Sequence, residues 1–64
     1  MKEYRVRAYF TDSSMYPSRT YKRKIYMTLP DALNALNKAK VYYSSYKYID
    51  KVVIESREVT NWTV

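Results

Sequence analysis

Cations and tyrosines alternate along this chain. Arg5, Arg7 and Tyr9 stand two residues apart, as do Lys22, Lys24 and Tyr26, and Lys51 and Arg57 bracket a third such run through Val53 and Glu55. A two-residue period puts each set on one face of a strand. Laid side by side, the three sets would line one sheet face with charges that neutralise phosphates and rings that stack on bases. Arg5, Arg7, Tyr9, Lys22, Lys24, Tyr26, Lys51 and Arg57 therefore form the candidate binding surface. Glu55 falls on the same face, where it is also placed to pair with Arg5 or Arg7 across strands.

The residue types that carry most catalysis are missing. The sequence has no histidine and no cysteine, which removes the commonest neutral-pH base, the thiolate nucleophile and the usual zinc ligands. The six carboxylates are Glu3, Asp12, Asp31, Asp50, Glu55 and Glu58. Asp31 suits a helix start, Asp12 and Asp50 suit turns, and no pair is spaced as an acid/base dyad or a divalent-metal site. Ser13, Ser14, Ser44 and Ser45 lack a histidine partner. With no glycine there is no phosphate-cradling glycine loop. The expectation is a non-enzyme with no catalytic residue, no cofactor and no metal.

Positioning such a surface takes three strands and something to cover their other side. Residues 3–11 alternate, with Tyr4, Val6, Ala8 and Phe10 inward and Arg5, Arg7 and Tyr9 outward. Residues 11–18, TDSSMYPS, form a loop rich in turn formers, longer than a tight hairpin needs, and read either as a solvated connection or as a contact loop. Residues 19–28 predict a second strand with Tyr21, Arg23, Ile25 and Met27 inward and Lys22, Lys24 and Tyr26 outward.

A single helix follows at once, within 28–46. Leu29, Ala32, Leu33, Leu36, Ala39 and Tyr43 recur at spacings of three and four and form its apolar stripe. Thr28 is its N-cap, Pro30 sits in the first turn and Asp31 faces the positive helix end. The helix should stop between Tyr42 and Tyr48, with one or two of Tyr42, Tyr43, Tyr46 and Tyr48 exposed. Residues 49–58 predict the last strand, with Val52, Ile54 and Ser56 inward. The tail, VTNWTV, offers a short fourth strand or a Trp62 that caps the core. The sum is one α+β domain over residues 1–64: β-β-α-β, a three-stranded antiparallel sheet of order 2-1-3 with one amphipathic helix on one face.

Sixty-four residues give only a thin core, so a homodimer is one way to add stability. Twelve Lys and Arg against six Asp and Glu leave a net charge of +6, which attracts polyanions. No apolar run follows the start and none reaches membrane-spanning length, so neither a signal peptide nor a membrane is expected. The lack of cysteine fits the cytoplasm.

The strand–strand–helix–strand order, the Lys- and Tyr-rich composition and the VTNW ending resemble the small α+β proteins encoded by phages and mobile elements of AT-rich bacteria. That resemblance implies a job of blocking or redirecting host machinery, as anti-CRISPR and other anti-defence inhibitors do. It carries over no residue roles. The first functional expectation is thus an inhibitor or modulator that binds a host protein, in the host cytoplasm if phage-encoded. The alternative is direct DNA or RNA binding by the open basic sheet face, and a further one is a nucleotide-signal sponge built from an oligomer.

Overall fold

The structure, a computed structural model, describes residues 2–12 and 14–58. Strand β1 spans Glu3–Phe10, β2 is the two residues Arg19–Thr20, helix α1 spans Leu29–Tyr43 and β3 spans Ile49–Arg57. The three strands form one antiparallel sheet of order β2-β1-β3, the expected α+β topology. The suggested fourth strand and the placement of Trp62 fall in residues 59–64, outside the described residues.

β1 and β3 form the backbone of the sheet. Arg5 stands opposite Glu55, Arg7 opposite Val53 and Tyr9 opposite Lys51, while Val6 faces Ile54 and Ala8 faces Val52. Opposed residues share a face, so the alternation read from both strands holds from Glu3 to Tyr9 and from Lys51 to Arg57. The register slips once, between Tyr9 and Phe10, leaving Asp50 over where the strands end.

The helix begins as its sequence dictates. The Thr28 hydroxyl accepts from the Asp31 amide at 3.4 Å, proline occupies the first turn, and Asp31 lies at the positive end. The stripe facing the sheet is made of Ala32, Ala35, Ala39 and Tyr43, with Leu36 half-buried beside it. Leu29 and Leu33, expected inward, remain 45% and 46% exposed. The apolar stripe is therefore rotated toward the alanines. Alanine lets the helix axis come close to Val6 and Ala8, and the larger tyrosines then fill the wider end. Among the tyrosines after the helix centre, Tyr43 is buried, Tyr46 half-buried, and Tyr42 and Tyr48 exposed.

The second strand departs most from expectation. Pairing stops after Arg7–Thr20 and resumes only as a single bridge between Tyr4 and Tyr26. Between these points residues 21–25 oppose residues 5–6 alone. The surplus is taken up by a 3-10 turn at Tyr21–Arg23, where Lys22 and Arg23 adopt positive φ of 54° and 51°. The surplus is odd, so the faces swap. Tyr21 points inward as expected and is buried. Tyr26, expected outward, packs on the helix side, while Ile25 and Met27, expected inward, are exposed. Lys22 and Lys24 leave the sheet face altogether.

Candidate functional site

The uncovered sheet face collects five of the eight candidate residues: Arg5, Arg7 and Tyr9 from β1, and Lys51 and Arg57 from β3. It does not present them as an array of available cations. Arg5 makes an ion pair with Glu55 at 2.8 Å, and Arg57 pairs with Glu3 at 2.7 Å. Glu55 is buried although no helix lies over it; Arg5 and Tyr9 close above its carboxylate, both donating to it. Burial pushes the Glu55 carboxyl up. The bonds from Tyr9 and Arg5, with the charges of Arg5 and Arg7, outweigh that and hold it below its ordinary value. The same bond to Glu55, then burial, raises the Tyr9 phenol.

Arg7 acts as a clasp for the short edge strand. Its two terminal nitrogens donate to Thr20 Oγ1 at 2.8 Å and Ser18 Oγ at 2.6 Å. The Nε is buried and meets no acceptor among the described residues. Lys51 lies over the Tyr9 ring, 5.3 Å from its centroid. The face is thus a lattice of internal bonds with two carboxylates inside it.

The cations that the turn expels gather elsewhere. Arg19, Thr20, Lys22 and Arg23 line a hollow of about 460 Å³ whose inner wall is Tyr43. No carboxylate lines it, and none of Arg19, Lys22, Arg23 or Lys24 makes an ion pair among the described residues. A second hollow of about 280 Å³, lined by Tyr21, Lys22, Tyr42 and Tyr43, adjoins it and shares Lys22 and Tyr43. On the far side of Lys22 a groove of about 520 Å³ runs between residues 24–27 and the helix, and this one includes Asp31 and Lys38. Lys22 therefore borders all three.

The aromatic wall is continuous. Tyr21 meets the Tyr42 and Tyr43 rings at 6.0 and 6.3 Å, and the Tyr42 and Tyr43 rings lie edge to face at 4.9 Å. The Tyr46 hydroxyl donates to that of Tyr42 at 3.2 Å. Burial raises the Tyr43 phenol, which the charge of Arg19 partly opposes.

Of the predicted surface, then, Lys22 alone enters the carboxylate-lacking hollows. Lys24 and Tyr26 line the neighbouring groove, with the Lys24 ammonium 5.3 Å from the Tyr26 ring centroid. Arg19, Arg23, Tyr21, Tyr42 and Tyr43 were outside it. The run RTYKRK did carry a signal, four cations in six residues. Reading it as a regular strand spread those cations over two faces, whereas the turn fans them along one edge. Among the described residues no cluster of carboxylates could hold a metal ion, and no helix is long and apolar enough to cross a membrane. No protein-family model, curated protein or solved structure matches the chain.

Proposed function

We propose that this chain is a non-enzymatic nucleic-acid-binding protein that grips the phosphate backbone at the edge formed by Arg19, Lys22 and Arg23, with the tyrosine wall beside it. The observation that carries this reading is the hollow in which three cations meet with no carboxylate among its lining residues. Phosphate oxygens fit that chemistry: guanidinium groups recognise them in two-point fashion, and the ammonium of Lys22 adds a point charge. Tyrosine hydroxyls and the Thr20 hydroxyl add neutral donors of the kind used on sugar and phosphate. The sheet face fits less well, because Arg5 and Arg57 would have to surrender Glu55 and Glu3.

The test compares two charge reversals of equal size. Lys22→Glu/Arg23→Glu removes the hollow's charge; Lys40→Glu/Lys51→Glu removes as much from the helix and the sheet face. Anisotropy of a labelled oligonucleotide should show roughly tenfold or greater loss for the first and little for the second, and the wild-type salt slope for a single strand should be about −2, as three phosphate contacts require. Equal losses in the two variants would reduce the effect to net charge and contradict the site. An acidic face of a host protein, the partner expected first from sequence, would be steered to the same cations. It is the outcome if a lysate pull-down retains one protein after nuclease treatment while oligonucleotides are not bound at all.

A further inference from the structure

The loop end of the molecule holds a second aromatic feature that the phosphate hollow does not explain. Beyond Tyr42 and Tyr46 the row of rings continues: Tyr46 to Phe10 at 6.1 Å, Phe10 to Tyr16 at 6.2 Å, Tyr16 to Tyr48 at 5.0 Å. The last pair is stacked, with 22° between ring planes, and both rings are substantially exposed. A stacked pair this far out on the surface is held in place by its backbone. Asp12 Oδ1 accepts from the amides of Ser14 and Met15 at 3.2 and 3.3 Å and from the Ser14 hydroxyl at 2.7 Å, and the Tyr16 amide donates to Asp12 O at 2.8 Å. The Thr11 amide donates to the Tyr48 carbonyl at 2.8 Å, tying that loop to the chain after the helix. Tyr16 is thus a braced platform.

Beside Tyr16 lies a hollow of about 200 Å³ lined by Phe10, Met15, Tyr16, Pro17, Arg19 and Tyr46. It is below the ~300–1,000 Å³ of a site for a drug-sized ligand and suits a single planar ring. Its one charged residue is Arg19, which also lines the phosphate hollow. On the opposite side of Tyr16, a hollow of about 240 Å³ is bordered by Lys47, whose ammonium stands 5.6 Å from the Tyr48 ring centroid. Flat apolar walls rimmed only by cations match a ring carried on an anionic chain.

We propose that this end seats a nucleobase, stacked on Tyr16 within the hollow closed by Tyr46 and Arg19, so that the protein selects single strands over duplexes. The inference rests on the phosphate-binding reading above. Arg19 links the two subsites: one residue borders the hollow for the phosphate and the hollow for the base. In a duplex the base faces are covered by their neighbours in the stack, and only an unpaired strand can turn one out.

An abasic strand separates the two claims, since it keeps the phosphates and lacks the rings. The wild type should bind oligothymidylate roughly tenfold more tightly than an abasic strand of equal length, the usual scale for one stacked base. Tyr16→Leu should abolish that preference and leave the abasic affinity unchanged; Tyr16→Phe should restore it. If Tyr16→Leu proves unfolded by circular dichroism, Tyr16→Gln, which lacks the ring and keeps a polar tip, makes the same test. Equal wild-type affinity for the two strands would overturn the base subsite while leaving the phosphate site standing. So would a preference that survives in Tyr16→Leu, as would retention of a proline- or aromatic-rich peptide in place of the strand. Failure to bind either strand would overturn both claims.

Discussion

At the scale of single residues, the most constrained group is Glu55. It is 4% exposed on a face that no helix covers, because the Arg5 guanidinium and the Tyr9 hydroxyl close over it. Its partner Arg5 is largely covered too, with its side chain 20% exposed. Glu55→Gln should therefore destabilise the fold by about 2 kcal/mol, the cost of leaving a mostly desolvated charge without its counter-ion. The pH dependence has a definite sign. The Glu55 pKa is depressed in the folded state, so its contribution is complete above the ordinary carboxylate value of about 4.3 and is lost as pH falls through the lower folded value. The Tyr9 pKa is raised, so its contribution is complete below about 10 and is lost as pH climbs through the raised folded value. Urea midpoints measured across pH should show the gap between wild type and Glu55→Gln at its widest between these limits and narrowing at both ends. A gap independent of pH would contradict the network. Alternation placed Glu55 on the face of Arg5 and Arg7 and left open which of the two it pairs with; the register, Arg5 opposite Glu55, decides it. That Tyr9 would join the pair was not legible, because alternation gives a face and says nothing of which rotamers meet.

At the scale of elements, β1, β3, the helix ends and the strand order were all readable. Period-two alternation, Thr28 with Pro30, and one helix between two strands leave few alternatives. Two features were hidden. The helix buries alanines in preference to Leu29 and Leu33, since close approach to Val6 and Ala8 suits a methyl better than an isobutyl group. The turn at Lys22 and Arg23 was hidden more deeply, because both residues sit at positive φ, where glycine or asparagine is the usual sign. A lysine–arginine pair gives no such sign, and the odd surplus it adds reversed the faces of Ile25, Tyr26 and Met27. Each left-handed residue costs about 1 kcal/mol, strain of the sort that structures keep at sites of function. Lys22→Gly would relieve it, offset in part by a freer unfolded chain. The variant should be more stable by about 0.5 kcal/mol in urea titration and bind oligonucleotide more weakly, since the charge that borders three hollows is gone. Lower stability together with unchanged affinity would mean that the turn is neither strained nor functional.

At the scale of the whole molecule, the distribution of charge matters more than its total of +6. One face commits Arg5 and Arg57 to Glu55 and Glu3; one edge, Arg19–Lys24, forms no ion pair among the described residues. Composition raised the expectation of a polyanion-seeking surface, but it could not say which side would be neutralised from within. The core is equally uneven. Val6 is the only large side chain sealed completely among the described residues, and much of the rest is alanine and tyrosine. Tyrosine is thus shared between holding the fold together and forming a surface that can meet rings. The measurement that addresses the account most directly is a backbone and side-chain NMR titration of the whole chain with a short oligothymidylate. The account predicts shifts concentrated at Arg19–Lys24 and Tyr42–Tyr43, extending to Tyr16 and Tyr46. Shifts centred on Arg5, Arg7, Lys51 and Arg57, with Arg19–Lys24 unmoved, would contradict it.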